Sequence, residues 1–414
     1  MTTPDDHNTA AHDPAHPAQE VALAADDSAQ PADTIRCNQC GNDVPRLEYC
    51  IRCGDPLSDE YSSAGRVEAR AHFAAAPHEP LRTVALISTL FPQLPRAEMR
   101  MFRIAFLAGA GIILVLALLG FYPVALVSAA VLVPLLMVMY VYVVDIYEDE
   151  PLTIVGATMA WGVAAGLVYS LLLRALPSTT AFGAPDSSTI LINGIALPLL
   201  EGVLMIAGPL FLLNQRRFND VLDGATFGAA SAVAFAGTHV IFQALPILGS
   251  GLRPAGDPLP WVVQLLSLGV LQPVIAAGAI GSATAAFWLR YRSPAADRPA
   301  LGIFGKPPIA VASAALLLVA TGLTLTVLPL IPATAVLALL AALALLWLRA
   351  TLHLGLSQES REITVTRSIV CPNCGHTTPE HTFCGHCGIA LRALPQARPA
   401  KGGPASAPDG QAAE

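Results

Sequence analysis

The sequence predicts an all-α polytopic membrane bundle of about eight transmembrane helices, with two small cytoplasmic zinc ribbons attached. Hydrophobic residues make up 54% of the 414 residues and charged residues only 13%, with a mean hydropathy of +0.57. Such a composition lies far from that of a soluble globular protein. Eight apolar runs are long enough to cross a hydrocarbon core of about 30 Å. All eight cysteines fall in two short clusters outside those runs.

The chain begins with an acidic segment, residues 1–33, which contains seven acids and no Lys or Arg. It lacks a basic region followed by an apolar one, so it predicts a disordered tail and no secretory signal. Residues 392–414 are rich in Pro, Ala and Gly and predict a second tail. The remaining charges balance and form no basic face, so we expect no nucleic-acid partner.

The two cysteine clusters share the pattern C-x2-C-x9-C-x2-C, with Gly after each pair. Four thiolates at this spacing complete a closed tetrahedral shell around Zn²⁺, so we expect two structural zinc ions and two ribbons, at residues 34–57 and 370–391. The ligands are Cys37, Cys40, Cys50 and Cys53 in the first ribbon and Cys371, Cys374, Cys384 and Cys387 in the second.

Two alternatives for the clusters stay open. Each cluster would form two disulfides in an oxidising compartment. The imidazoles of His376, His381 and His386 would compete as ligands in the second cluster. Both clusters resemble the short zinc ribbons found in pairs in bacterial membrane and signalling proteins. Because an even number of spans puts both ends of the chain on one side of the membrane, we hypothesise that the two ribbons dock against each other.

Apolar length predicts the membrane domain, at residues 101–350. We number its predicted helices spans 1 to 8 in chain order. They cover residues 103–120, 122–144, 152–175, 189–213, 224–249, 260–289, 308–329 and 331–349. Spans 1 and 2 are joined by "GFYP" and spans 7 and 8 by "PLIPAT", so each pair predicts a tight helical hairpin.

Basic residues in the short loops predict the orientation, because Lys and Arg are retained in the cytoplasm during insertion. One side holds Arg174 and Arg253 only. The other side holds Arg96, Arg100, Arg103, Arg216, Arg217, Arg290, Arg292, Arg298, Lys306 and Arg349. We therefore expect a plasma-membrane protein, of bacterial origin, with both termini in the cytoplasm.

Two connecting segments join the ribbons to the bundle. Residues 58–100 predict a linker and an interfacial segment, because Pro92 and Pro95 interrupt its apolar part. Residues 351–369 predict a second linker, in which the alternating stretch 363–370 indicates a strand leading into the second ribbon.

Within the membrane domain, three stretches are informative: "VDIYEDEPLTIVGATMAWG", "ALPLLEGVLM" and "DGATFGAASAVAFAGTH". In this order they resemble the PrsW family of intramembrane metalloproteases, which belongs to the wider group containing the type II prenyl-protein (CAAX) proteases. The resemblance covers roughly residues 100–290 and implies metal-dependent peptide hydrolysis inside the membrane.

The scaffold positions of that family match, whereas four of its chemical positions differ. Where the family has a second Glu after Glu201, this chain has Gly202. Its Lys, its next Glu and its His correspond here to Met205, His239 and Gln272.

Only Glu201 and His239 are ionisable side chains near the predicted midplane, at similar depth, so we expect them to meet. Three interpretations stay open: a protonated Glu201 bonded to a neighbouring helix, a Glu201–His239 pair, or a catalytic metal site needing a third ligand. Gly224, Gly228, Ala232 and Ala236 recur every fourth residue and predict close helix packing beside them.

Three function classes follow from these observations. We favour a non-hydrolytic scaffold, a pseudoenzyme, whose membrane core binds lipid or a helix and whose ribbons recruit a cytoplasmic protein. The alternative is an intramembrane metalloprotease that uses Glu201 and His239 on a membrane-embedded substrate. A weaker alternative is a transporter in which the same pair forms a proton relay.

Overall fold

The computed structural model describes residues 34–37, 43–52, 54, 56–57, 72–92, 96–145, 152–175, 186–215, 218, 220–253, 257–292, 301–359, 368–371, 373–379 and 381–391. Both predicted tails lie outside these residues, as do residues 58–71 and 360–367 of the two predicted linkers and the acidic loop 146–151. Within the described part, eight helices are long and apolar enough to cross a membrane. The predicted helical membrane bundle is therefore confirmed.

Most helices begin and end within three residues of the predicted positions, but span 1 begins seven residues earlier and span 8 ends ten residues later than predicted. Spans 1 to 8 are Arg96–Leu118, Tyr122–Asp145, Leu152–Ala175, Ser187–Asn214, Val221–Ser250, Pro258–Tyr291, Pro307–Val327 and Leu330–Glu359. Since successive spans alternate in direction, the start of span 1 and the end of span 8 lie on one face of the bundle, which we call the ribbon face.

The turn between spans 1 and 2 follows from one glycine. Gly120 has a φ of +79°, a left-handed conformation that glycine adopts without steric cost. The N–H of Gly120 donates to the carbonyl of Ala117 and the N–H of Phe121 to that of Leu116. This pair of bonds is a Schellman motif, and it ends span 1 as the "GFYP" stretch predicts.

Span 5 lies at the centre of the bundle, where small residues let two neighbours, spans 3 and 6, approach its backbone. A Cβ on Gly166 of span 3 would lie 2.7 Å from the carbonyl oxygen of Phe235, and one on Gly162 would overlap the carbonyl oxygen of Ser231. On another side, a Cβ on Gly228 would lie 2.9 Å from the carbonyl oxygen of Ile280 in span 6. Small residues at these positions permit helix contact without voids.

Two spans contain a widened, π-helical turn that ends two positions before a proline. The turns are Ile190–Ala196 in span 4 and Ser267–Leu271 in span 6. Pro198 and Pro273 follow them, and the residue four positions before each proline is a glycine, Gly194 or Gly269. A proline inside a helix has no N–H and clashes with the carbonyl four residues earlier, and a wide turn at a small residue relieves that clash.

Arg349 occupies a different place from the one expected. The sequence puts it in a loop after span 8, but the structure continues span 8 to Glu359 and buries Arg349 completely. Its guanidinium donates to the Glu79 carboxylate at 2.9 Å and to the Ser88 hydroxyl at 2.9 Å, and it lies 4.0 Å from the centre of the Phe73 ring. These partners satisfy a buried charge that a hydropathy scan treats as the end of a helix.

The partners of Arg349 come from the segment before span 1. Strands β3, His72–Phe73, and β4, Ala76–Pro80, form a hairpin, and the short helix Leu86–Leu90 follows it. This hairpin packs on span 8, where the N–H of Ala74 donates to His353 Nδ1 at 3.3 Å. On the ribbon face, the hairpin and the short helix thus cover the end of span 8.

Candidate functional site

The second ribbon is built from a strand pair and two cysteine turns. Strands β5, Ser368–Val370, and β6, Thr377–Pro379, are antiparallel. In each turn, the N–H of the glycine after the second cysteine donates to the carbonyl of the first cysteine at 2.8 Å. These glycines, Gly375 and Gly388, have φ values of +75° and +68°, which explains why glycine follows each pair.

The four sulfurs of this ribbon fit a zinc ion. All four lie within 4.8 Å of one another, and the pairs Cys371–Cys387 and Cys374–Cys384 are 3.8 and 3.7 Å apart. Zn–S bonds of about 2.3 Å give a tetrahedron with edges of about 3.8 Å. The spacing is far too long for a disulfide, and all four cysteines are free. A metal held here would have four protein ligands and no open position.

The three histidines of the second ribbon have other contacts. His376 and His386 stack on each other with ring centroids 5.0 Å apart. His381 is buried, its Nδ1 accepts from the N–H of Thr382 at 2.8 Å, and it hydrogen-bonds to the backbone of Ile51. Burial lowers the pKa of His381 below its usual value, so the imidazole is neutral at this contact.

The described part of the first ribbon follows the same plan. Strands β1, Thr34–Arg36, and β2, Asp43–Pro45, are antiparallel, and Cys37 and Cys50 are buried together. Gly54 has a φ of +74°, and its N–H donates to the carbonyl of Cys50 at 2.8 Å. The other two expected ligands, Cys40 and Cys53, lie outside the described residues. The structure therefore describes all four expected ligands of the second ribbon but only two of the first. Zinc binding by the first ribbon stays a prediction.

The two ribbons dock against each other through their backbones. The N–H of Tyr49 donates to the carbonyl of Gly385 at 2.8 Å, and the N–H of Phe383 donates to that of Ile51 at 3.0 Å. Because the first cysteines are at 37 and 371, Tyr49 is equivalent to Phe383 and Ile51 to Gly385. The pairing is therefore self-complementary, like the interface of a two-fold symmetric dimer.

Side chains repeat this symmetry. Leu47 contacts the position of Gly385, and its equivalent, His381, contacts Ile51. Phe383 also belongs to the same cluster of buried residues as Phe73 of the hairpin. The double ribbon is thus packed on the membrane domain, and the two ribbons must lie on the same side of the membrane.

Inside the bundle, Glu201 and His239 belong to one polar cluster but meet through a third residue. The hydroxyl of Tyr169 in span 3 hydrogen-bonds to the carboxyl of Glu201. The Tyr169 ring packs edge-on against the imidazole of His239, with centroids 5.2 Å apart. Within the described residues, no hydrogen bond or ion pair joins Glu201 directly to His239, so the expected pair is bridged by Tyr169.

Both ring nitrogens of His239 have partners. Ser170 Oγ lies 3.1 Å from Nδ1 and donates its own proton to the carbonyl of Gly166 at 2.7 Å. The Ser170 oxygen must then accept from Nδ1–H, which leaves Nε2 as an acceptor. Gln243 Nε2 lies 2.6 Å from that atom and donates to it. Both ring nitrogens of His239 are therefore within hydrogen-bond distance of a polar side chain.

Two of the positions at which the chain departs from the PrsW pattern, Gly202 and Met205, make contacts between helices. Gly202 lies against Leu318 of span 7. The carbonyl of Met205 accepts from the Ser231 hydroxyl at 2.8 Å, because Pro209, four residues later, has no N–H to offer it. Gln272 Nε2 is buried and has no hydrogen-bond partner among the described residues.

A metal site at Glu201 needs about three ligands. In the described part of the chain, the four cysteines of the second ribbon are the one group of three or more Cys, His, Asp or Glu side chains close enough to share an ion. Asp223, which follows the family pattern in sequence, belongs instead to a capping box at the start of span 5, where its carboxylate accepts from the N–H of Asp220 at 3.1 Å.

Sequence reasoning missed three members of the polar cluster, namely Tyr169, Ser170 and Gln243. Signals for them exist in the chain. Tyr169 and Ser170 are adjacent polar residues in an otherwise apolar helix, and Gln243 lies one helical turn after His239. Their meeting depends on how spans 3 and 5 pack, which periodicity alone does not give.

Comparison with known proteins gives a match, which lies in the membrane domain. Comparisons with curated proteins and with solved structures give no significant match. Residues 150–257, from the acidic loop to the start of span 6, match the family model described as PrsW family intramembrane metalloprotease. This range contains Tyr169, Glu201 and His239. Residues 150–257 are therefore similar to the PrsW family, in agreement with the resemblance seen in the sequence.

Proposed function

We propose that this protein is a non-hydrolytic PrsW-type membrane scaffold, a pseudoenzyme whose double zinc ribbon recruits a cytoplasmic protein to the bilayer. The observation that carries the proposal is the state of His239. An imidazole that hydrolysis would need as a metal ligand instead has one nitrogen bonded to Ser170 and the other to Gln243. A lone pair that already accepts a hydrogen bond is not available to a metal.

The surroundings of Glu201 support the same proposal. Metal-dependent hydrolysis needs an ion with an open position, and a separate carboxylate that moves the proton. In the described residues the carboxyl of Glu201 faces Tyr169, and the position beside it, where the family has a second carboxylate, is Gly202. The cluster then pins span 3 to spans 4 and 5, which is a structural role.

The ribbons supply the recruiting part of the proposal. A closed shell of four thiolates gives zinc no position for substrate, so a ribbon of this type stabilises a surface. Here the two ribbons form one unit that packs on the membrane domain. Its location is proposed to be the cytoplasmic side of a bacterial plasma membrane, on the strength of the basic residues in the loops of that face.

Metal content and cleavage together test the proposal. Purified full-length protein is expected to hold two zinc ions, with the same number in Glu201→Gln and in His239→Gln. No cleavage of a fluorogenic membrane-embedded helix is expected from any of the three proteins. A third, chelator-sensitive ion that disappears in Glu201→Gln, together with cleavage that the same variant abolishes, would establish the protease and overturn the scaffold.

One observation favours the protease as the second candidate. The matched range carries the name of a metalloprotease family, and Glu201 remains at the family's first carboxylate position. For hydrolysis, Gln243 would have to rotate away from His239, and a third ligand would have to reach both residues. The same cleavage measurement, with Gln243→Ala added to free the imidazole, decides between the two functions.

A further inference from the structure

A cleft on the ribbon face, between the end of span 6 and the start of span 7, has the features of a ligand site. Its volume is about 740 Å³, within the range of small-molecule pockets. The walls come from the last turn of span 6, the turn at residues 301–305 and the first turn of span 7. None of these residues belongs to the ribbons or to the Glu201 cluster.

The chemistry of the cleft is amphipathic. Its walls include Leu289, Leu301 and Pro307, which are buried and apolar, and Ile309, which is exposed. Arg290 and Lys306 are the cationic residues that line it. Both are exposed, and their side chains make no hydrogen bond or ion pair with any residue that the structure describes.

The recognition group must be these two side chains and not the helix end. Pro307 and Pro308 begin span 7 and have no N–H, and the N–H groups of Ile309 and Ala310 already donate to the carbonyl of Lys306. The first turn therefore offers little to an anion. Two cations at the rim of an apolar cleft fit a ligand with a negative head and an apolar tail.

The position of the cleft identifies the kind of ligand. It lies where two membrane spans end, and Tyr291 at its edge is 63% exposed. Exposed aromatic rings at helix ends mark the level of the lipid headgroups. Ile303 lies in the turn 301–305 beside the cleft, and its side chain is also exposed.

We propose that this cleft binds an anionic phospholipid, with Arg290 and Lys306 on the phosphate and the exposed side chains of Tyr291 and Ile309 against the acyl chain. Near a membrane surface each basic residue contributes about a fivefold gain in affinity for anionic lipid. Two of them predict a preference of roughly 10- to 30-fold for phosphatidylglycerol over phosphatidylcholine of the same chain length.

Native mass spectrometry of the full-length protein in detergent, titrated with each lipid, tests this. The double variant Arg290→Ala/Lys306→Ala is expected to lose the preference, to about threefold or less. Arg100→Ala/Arg103→Ala is the matched control, because it removes two exposed charges from the ribbon face outside the cleft. Unchanged preference in the first variant, or equal loss in the control, overturns the proposal.

Competition distinguishes a lipid from a soluble phosphate. Inorganic phosphate and glycerol phosphate at millimolar concentration are expected to leave the bound phosphatidylglycerol in place, because they make no apolar contact. Full displacement by either would assign the cleft to a soluble phosphate compound and overturn the lipid assignment. All four charges are exposed, so the variants are expected to keep the wild-type melting temperature.

Discussion

The second ribbon and the membrane polar cluster are both groups of potential metal ligands, yet they differ in how they are built. The ribbon draws four ligands from 17 consecutive positions, Cys371 to Cys387, and its sulfurs form a closed group. The membrane cluster draws Tyr169, Glu201 and His239 from three spans, and its members satisfy one another. One arrangement leaves four sulfurs free to converge on an ion, whereas the other leaves His239 with both nitrogens occupied.

The two sites differ in whether their geometry depends on local sequence or on the packing of several helices. A cysteine turn needs only a left-handed glycine and a short strand, so its geometry is local. A site between helices needs every ligand to point to one place after three helices have packed. Removing one ligand position from such a site leaves the packing intact, and polar neighbours then take the remaining side chains.

The largest effect is expected from a variant that removes a cysteine ligand of the second ribbon. Cys384→Ser removes a zinc ligand, and a structural zinc ion contributes roughly 10–16 kcal/mol of binding free energy to folding in such small units. We expect the zinc content to fall by one ion per chain and residues 368–391 to become sensitive to protease. Elemental analysis and limited proteolysis measure this, and His376→Ala, a change at an exposed non-ligand, should keep both ions.

The second prediction breaks the link between the ribbon face and span 8. Arg349→Ala removes the ion pair with Glu79 and the contact with the Phe73 ring. Breaking a fully buried ion pair from one side costs about 3–5 kcal/mol, and because the Glu79 side chain is 23% exposed we expect a loss at the lower end of that range. Thermal unfolding in detergent should show a clear loss of stability, and Arg290→Ala, an exposed arginine, is the control. Equal melting temperatures for the two variants would contradict the role given to Arg349.

A third prediction concerns the close packing that places the polar cluster. Gly162→Ala puts a methyl group against the Ser231 carbonyl of span 5, and overpacking of this kind costs typically 1–3 kcal/mol. Gly156→Ala lies in the same helix with nothing within 4 Å, so it should be neutral or slightly stabilising. Similar unfolding curves for both would show that spans 3 and 5 do not touch at Gly162.

The smallest expected effect lies in the polar cluster itself. Tyr169→Phe removes the hydroxyl that hydrogen-bonds to Glu201, and hydrogen bonds between membrane helices average about 0.6 kcal/mol. We expect a small loss of thermal stability and unchanged zinc content. Tyr142→Phe, in an exposed position on span 2, is the control. Loss of a metal ion in Tyr169→Phe would mean that the cluster holds one.

Much of the fold was predictable. Apolar length fixes the number of spans and most of their ends, and the "GFYP" turn follows from Gly120. Arg349 is the clearest exception, because a charge normally marks the end of a span. Its partner Glu79 is 270 residues away, so no local pattern shows that the charge is neutralised inside the fold.

Some residues of the candidate sites were likewise predictable from the sequence, and others were not. The ligands of the second ribbon are predictable from spacing alone, since the cysteine turns close within five residues. Glu201 and His239 are recognisable as membrane-buried ionisable residues, but Tyr169 as the bridge between them is not. The cleft at Arg290 and Lys306 is equally invisible in the sequence, because the two residues are basic side chains like any others in the loops.

By itself, then, the amino-acid sequence determined the helical bundle, the cysteine turns and the small residues along span 5. These depend on composition and on spacings within a few residues, which the backbone converts directly into local geometry. Only the tertiary structure decided that the ribbons pair self-complementarily, that Arg349 is buried and that His239 is fully hydrogen-bonded. Each of these depends on residues far apart in the chain, whose contact is set by the packing of whole helices.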